Sequence, residues 1–364
     1  MGLAHSPSVV TNGLVYYHDM SNTKKSWKGM PTTNLFGNAV NYSGLNSYWF
    51  LLDNNTNYFL LSSSWASWCM SFVCTLAAST QYTLSFEYKT ASAGTLVIDN
   101  DGVDDNTWNA TINTTSEWQK YTFTRTEITA GVMTLYFRRN TGGDIEVRNV
   151  QIEANSFASG FVKGTRSTTQ SIIDLTGNNT LTATSLTYNS NNTFSFNGSN
   201  NYVDCGTGGT LTLGNNGAFT VGAWINCAVL KNYAGIISKV RSDRPGVYSF
   251  MACLHNDGTL IFYNNATWSA SSNVGLTINT WYYVNFVYNG SGTLSFYVNG
   301  ASAGTASLTW PETTAHNVFV GSWYSVNTIY DFNGTISVAQ LYNRALTAAE
   351  VKQNFNALRG RYGI

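Results

Sequence analysis

The chain has 364 residues, 43% hydrophobic and 14% aromatic but only 10% charged, where an ordinary globular protein carries about 25%. Nineteen basic and nineteen acidic side chains cancel, so the chain lacks the basic footprint that neutralises nucleic-acid phosphates or anchors to an anionic membrane. Its 22 Tyr, 19 Phe and 11 Trp exclude a disordered chain, and 32 Gly without a three-residue period exclude collagen.

Met1–Val10 has neither the cationic start nor the apolar core of a secretory leader. Met1-Gly2-Leu3-Ala4-His5-Ser6 fits the minimal myristoylation pattern, which chance often matches. Asn12–Asn22 reads as a first strand and turn, and Lys28-Gly-Met-Pro31-Thr-Thr-Asn34 then breaks away. Strand signals recur at a spacing of about 8–12 residues: Tyr82–Tyr88, Thr95–Asp99, Tyr121–Arg125 and Val132–Arg138. A polar connector, Lys163–Gln170, leads to Ile172-Ile-Asp174-Leu. Further strands are predicted at Phe219–Ile225, Tyr248–Leu254, Trp281–Tyr288, Thr293–Val298 and Thr335–Tyr342. Every second residue of Phe219–Ile225 is apolar, as a half-buried strand requires. Asn299-Gly300 suits a tight hairpin with two positive φ angles. One helix is expected, from Ala348 to about Leu358, with Thr347 and Glu350 as its capping box. Arg359 and Arg361 suit its negative end. All apolar runs are strand-length, short of the roughly 20 residues that span a bilayer, so no membrane insertion is expected.

The fold class is therefore all-β: two jelly-roll sandwiches, one inserted into the other, with a short C-terminal helix. The expected host domain is 1–30 plus 166–364 and the insert is 31–165, each large enough for its own core. Cys69, Cys74, Cys205, Cys227 and Cys253 are odd in number, with no C-x-x-C pair. Reduced, buried thiols made in a thiol-keeping compartment are the expectation.

Several motifs resemble known modules. Phe194-Ser-Phe-Asn-Gly-Ser-Asn-Asn-Tyr-Val-Asp204, Gly235–Lys239, Asn256–Phe262, Tyr297-Val-Asn-Gly300, Asn317–Gly321 and the ending Phe332–Glu350 resemble a laminin-G-like, concanavalin-A-like jelly roll. Gly13-Leu-Val-Tyr-Tyr-His-Asp19 resembles the first strand of that module in tailed-bacteriophage virion proteins. Asn34–Asn38, Tyr82–Tyr88, Glu117–Phe123 and Asp144–Glu153 resemble a galactose-binding-like carbohydrate-binding module. Phe157–Arg166 is similar to the return linker of such insertions in phage surface proteins. The resemblance implies a virion-surface protein, made in the host cytoplasm, whose partners are other virion proteins and host-surface glycans. It also implies a homo-oligomer, with a trimer as the fibre analogy.

No catalytic residues are assigned. A glycosidase needs two carboxylates about 5–10 Å apart, but the host acids Asp174, Asp204, Asp243, Asp257, Glu312, Asp331 and Glu350 are scattered singly. No elbow motif accompanies His5, His18, His255 or His316. Calcium is the one cofactor to weigh. Asp99, Asp101, Asp104 and Asp105 concentrate hard oxygen ligands on one turn, against the plainer reading of a solvated acidic hairpin. Asn149 stands where the family usually has an acid. For sugars, Trp65, Trp68, Trp108, Trp310, Trp323 and Tyr324 sit in polar or loop-like stretches, although a loop tryptophan is commonly half-buried under its own loop. Trp118, Trp224 and Trp281 fall in strand motifs and are expected in the core. Three functions are open: a fibre, spike or capsid-surface component that binds glycans, a decoration or assembly protein that binds none, and a polysaccharide-active enzyme or accessory lectin.

Overall fold

The computed structural model describes residues 7–36, 50–53, 56–62, 69–102, 107–189, 193–208, 211, 213, 217–240, 248–264, 268–270, 275–309, 316–323 and 328–364. Backbone contacts group them into two compact units: one drawn from Met1–Gly29, Thr168–Asn189 and Thr193–Ile364, the other built on Met30–Ser167. Strands dominate both, and the one helix longer than a turn is Ala348–Leu358 among the described residues.

In the first unit, an eight-stranded sheet centres on Asn333–Tyr342, Phe219–Cys227 and Trp281–Tyr288. A seven-stranded sheet centres on Asn317–Val320, Ala234–Val240 and Tyr248–Leu254. Alternation explains the packing. Phe219, Val221, Ala223 and Ile225 enter the core between the sheets, whereas Trp224 faces the opposite side. Each such Phe, Val or Ile contributes about 1.5–3 kcal/mol by burial. The first strand, Leu14–Asp19, pairs antiparallel with Asn333–Tyr342, Tyr17 opposite Gln340. Asp174 holds that strand in place, accepting from the Tyr17 amide at 3.0 Å, Thr176 Oγ1 at 2.7 Å and Asn179 Nδ2 at 2.7 Å. Asn299 (φ 52°) and Gly300 (φ 76°) turn the hairpin that follows Thr293–Val298.

The helix Ala348–Leu358 covers the outer face of the larger sheet, packing Val351 and Leu358 with Trp224, Tyr283, Val338 and Tyr342. Its start is set by the Thr347–Glu350 capping box. Arg344 holds Glu350 through a two-pronged contact at 2.9 and 2.6 Å, and chiefly for that reason the Glu350 carboxyl falls to about 2. Arg359 is the helix C-cap. Arg361 serves a different role from the expected one: its guanidinium donates to Asp19 Oδ2 at 2.6 Å and ties the helix end to the first strand.

The second unit is a sandwich of a four-stranded and a five-stranded sheet, with Phe72, Leu96 and Leu135 from one meeting Phe59, Leu84 and Val147 from the other. Its ends meet in a two-stranded ribbon, Thr32–Thr33 with Thr165–Arg166. Glu153, fully buried, organises this closure. It accepts from Thr32 Oγ1, Gln151 Nε2, Asn155 Nδ2, Ser159 N and Ser159 Oγ, each at 2.7 Å. Arg166 donates to the carbonyls of Met30, Gly160 and Phe161. Cys74, Cys205, Cys227 and Cys253 are buried and free, and burial pushes the Cys74 thiol up to about 12.

Two expectations follow from these buried groups. Glu153→Gln replaces one acceptor oxygen by a donor facing donors and lowers the stability of the second unit by about 2–4 kcal/mol, read as an earlier transition in urea. His18 is fully buried, its Nδ1 2.5 Å from the Tyr16 hydroxyl; burial lowers its pKa from 6.5 to about 4. The folded chain keeps His18 neutral while the unfolded chain takes up a proton below pH 6.5. Stability is therefore complete above pH 6.5 and falls as the pH drops toward 4, by up to about 3 kcal/mol. Urea midpoints between pH 7 and 4.5 measure this loss, which His18→Gln removes.

Candidate functional site

On the outer face of the seven-stranded sheet, Val240, Met251, Phe319 and Trp323 form a small apolar cluster against which Tyr202, Tyr233, Tyr263 and Tyr330 pack half-buried. Beside it opens a cleft of about 570 Å³, lined among the described residues by Gly198, Lys231, Asn232, Tyr233, Ile329 and Tyr330. That volume is within the usual range of ligand pockets.

The local sequence explains its shape. Gly321 lies at φ 85°, and a Cβ there would sit 2.3 Å from the Phe196 ring, so glycine lets the chain turn off the strand Asn317–Val320. Ser238 Oγ meets the carbonyls of Ser322 and Trp323 at 2.7 and 2.8 Å. Gly235 leaves room for the Trp323 indole, whose Cδ1 a Cβ would approach to 2.9 Å. The indole is therefore packing that supports the cleft wall from behind. It is 5% exposed, and the Tyr330 ring stacks on it at 3.9 Å and 22°.

Tyr233 forms the second wall, 6.0 Å from Trp323 and 4.9 Å from the His255 ring. Its φ of 58° is costly for a bulky residue, by about 1–2 kcal/mol, and such strain concentrates at functional sites. Polar groups surround the rings. Lys231 Nζ donates to the Gly198 carbonyl at 2.6 Å, and His255 Nδ1 lies 3.1 Å from Asp257. Asp331 is 1% exposed and accepts from the Asn200 amide at 2.6 Å. Burial raises its carboxyl above the usual aspartate range, against bonds from Ser322 and Asn200 and the Lys231 charge. Two half-exposed phenols, an ammonium and an amide side chain can hold a flat, polyhydroxylated molecule.

The sequence candidates distribute unevenly. Trp65, Trp68, Trp310, Tyr324, Asp104 and Asp105 lie outside the described residues. Trp323 does not line the cleft: it is buried beneath Tyr330, whose phenol covers its face. Trp108 is a core residue, 1% exposed: its Nε1 donates to the buried Glu127 at 2.6 Å, with Arg125 3.1 Å from the same carboxylate. Conversely, Trp118 is half-buried on the outside of the five-stranded sheet, where the Arg148 guanidinium stacks 3.9 Å from its centroid and Lys89 lies at 5.0 Å. Glu87 and Glu146 pair with those cations at 2.7 and 3.2 Å, so the indole face is already covered by charge. Trp224 is buried as expected, and Trp281 packs half-buried beside it. Asp99 is paired with Arg138 at 3.3 Å, and burial raises its carboxyl with added repulsion from Asp101. Among the described residues no three His, Cys, Asp or Glu converge as a metal site. No local pattern marks Tyr233 or Tyr330 in the sequence; the φ strain and the stacking arise only in the tertiary structure.

Residues 197–352 match the family model of the concanavalin A-like lectin/glucanases superfamily, of the laminin G kind. The first unit thus contains a concanavalin A-like jelly-roll domain. Among solved structures, the chain is similar to the Trypanosoma rangeli sialidase in complex with sialic acid (18% identity, TM-score 0.42, covering 52% of this chain and 31% of that one). It is also similar to a botulinum neurotoxin type C structure on cell entry through two ganglioside molecules (14%, 0.39, 52% and 49%). A third is domain 4 of AbnA, a GH43 extracellular arabinanase from Geobacillus stearothermophilus, in complex with arabinotriose (15%, 0.39, 52% and 92%). The matches to the sialidase and the neurotoxin span about a third and a half of those chains. Comparison with curated proteins gives no match.

The burial of Trp108 has a direct consequence. Trp108→Ala is expected to destabilise the second unit by about 3–5 kcal/mol, measured as a lowered unfolding midpoint.

Proposed function

We propose that this protein binds glycans through the cleft walled by Tyr233 and Tyr330, as a non-catalytic component of a tailed-phage particle surface. The observation that carries this reading is the pair of half-buried phenols lining one cleft, Tyr330 backed by the buried Trp323 indole. A pyranose presents a face of C–H groups that packs on such rings, and its hydroxyls take bonds from groups like Lys231 and Asn232. The match of residues 197–352 to a lectin and glucanase superfamily supports it. Binding without cleavage is the reading because none of the described lining residues is a carboxylate, and glycoside hydrolysis ordinarily uses two. One shallow site holds a sugar weakly; many copies on a particle multiply that hold. The likeness of Gly13–Asp19 to virion proteins supports the particle setting, where a homo-oligomer would present the clefts together.

Glycan-array binding of the full chain tests the site. Tyr330→Ala, and Tyr233→Asn, which tolerates the left-handed backbone, are expected to weaken binding at least tenfold, about 1.4 kcal/mol, with an unchanged circular-dichroism spectrum. Undiminished binding by both variants would place the site elsewhere, and no binding to any glycan would leave the decoration or assembly role. Release of reducing ends would point to the enzyme. Reconstruction of a whole particle locates the protein on it.

A further inference from the structure

The cleft holds one feature that sugar hydroxyls do not require. Among its described lining residues Lys231 is the single charged side chain, and the fold holds its ammonium at one place. Nζ donates to the Gly198 carbonyl at 2.6 Å. A Cβ at Gly198, which has φ 75°, would stand 2.7 Å from that nitrogen, so glycine permits the approach. The turn that presents the carbonyl is itself fastened. The Ser199 amide donates to Asn197 Oδ1 at 2.8 Å, and Asn333 Nδ2 donates to the Asn197 carbonyl at 3.0 Å. The Asn200 amide, at φ 59°, donates to the buried Asp331 at 2.6 Å.

The neighbouring acids are engaged elsewhere. Asp331 feels the Lys231 charge, but its carboxylate takes its bonds from Ser322 and Asn200, and Asp257 lies against His255 at 3.1 Å. A lysine ammonium carries three N–H donors, and the neutral Gly198 carbonyl that takes one of them does not cancel its charge. On the reading that this cleft binds glycans, we propose that its ligand is an acidic sugar, whose carboxylate pairs with Lys231 Nζ while the ring packs on Tyr233 and Tyr330. A hydrogen bond between ionised partners is about twice as strong as one between neutral groups, so Lys231 selects acidic glycans over neutral ones of the same shape. Uronic acids within a chain and terminal nonulosonic acids share this chemistry.

The probes are a glucuronic-acid oligosaccharide and sialyllactose, each beside its carboxyl-reduced form, titrated into the full chain. At least one acid is expected to bind about tenfold more tightly than its reduced form, with a preference that shrinks as salt screens the charges. Lys231→Met keeps the alkyl stem and is expected to abolish the preference while leaving the reduced form within about twofold; Lys231→Arg keeps the preference. If the methionine variant does not fold, the comparison of acid with reduced form decides alone. Equal binding of both forms, lost in Tyr330→Ala, keeps the cleft as a glycan site and overturns the acidic ligand, as does a preference that survives Lys231→Met. No binding of either acid also overturns it, and the glycan array then shows separately whether the cleft takes neutral sugars. Acid binding that Tyr330→Ala leaves undiminished places the site elsewhere and ends both readings.

Discussion

The first unit depends on a pairing between the two ends of the chain. Leu14–Asp19 lies along Asn333–Tyr342, the Val10 amide donates to Asn354 Oδ1 across 344 residues, and Arg361 reaches back to Asp19. Closing so long a loop is less costly than its length suggests, since each doubling adds only about 0.6 kcal/mol. Burial of Val15 and Tyr16 in the core, with the Asp174 bonds, outweighs it. The kinetic consequence is larger than the thermodynamic one, because a sheet whose central strand waits for both termini has a high contact order and folds slowly.

The low charge of the chain shapes both units. With few ions available, closure rests on buried single acids that collect several donors. Glu153 does this in the second unit and Asp174 in the first. Each is an acceptor-only group at the meeting point of segments distant in sequence, so each carboxylate specifies which segments meet. The cleft follows the same economy of charge: among the described residues, rings, an amide and one ammonium line it.

The fates of Trp108, Trp118 and Trp323 explain what residue patterns can convey. Trp108 follows an acidic turn and suggests a surface, yet Glu127 provides the buried acceptor its indole needs. Trp118 precedes an alternating strand and suggests a core, yet cations from two neighbouring strands cover it outside. Trp323 adjoins the cleft, but Tyr330 lies over it. In each case the deciding partner is a residue brought across the fold, and a tryptophan's local neighbours do not identify it.

The order of residues was sufficient for what local periodicity controls. Alternation in Phe219–Ile225, the Asn299-Gly300 turn and the Thr347–Glu350 capping box are short-range geometry, and they sufficed for the all-β class and the single C-terminal helix. Tertiary structure alone decided which aromatic rings face outward, that Asp99 pairs with Arg138, and that the Gly198 carbonyl meets Lys231. The physical reason is that side-chain burial and pairing in a sandwich are set by strands far apart in sequence, so they come into being only when the sheets do.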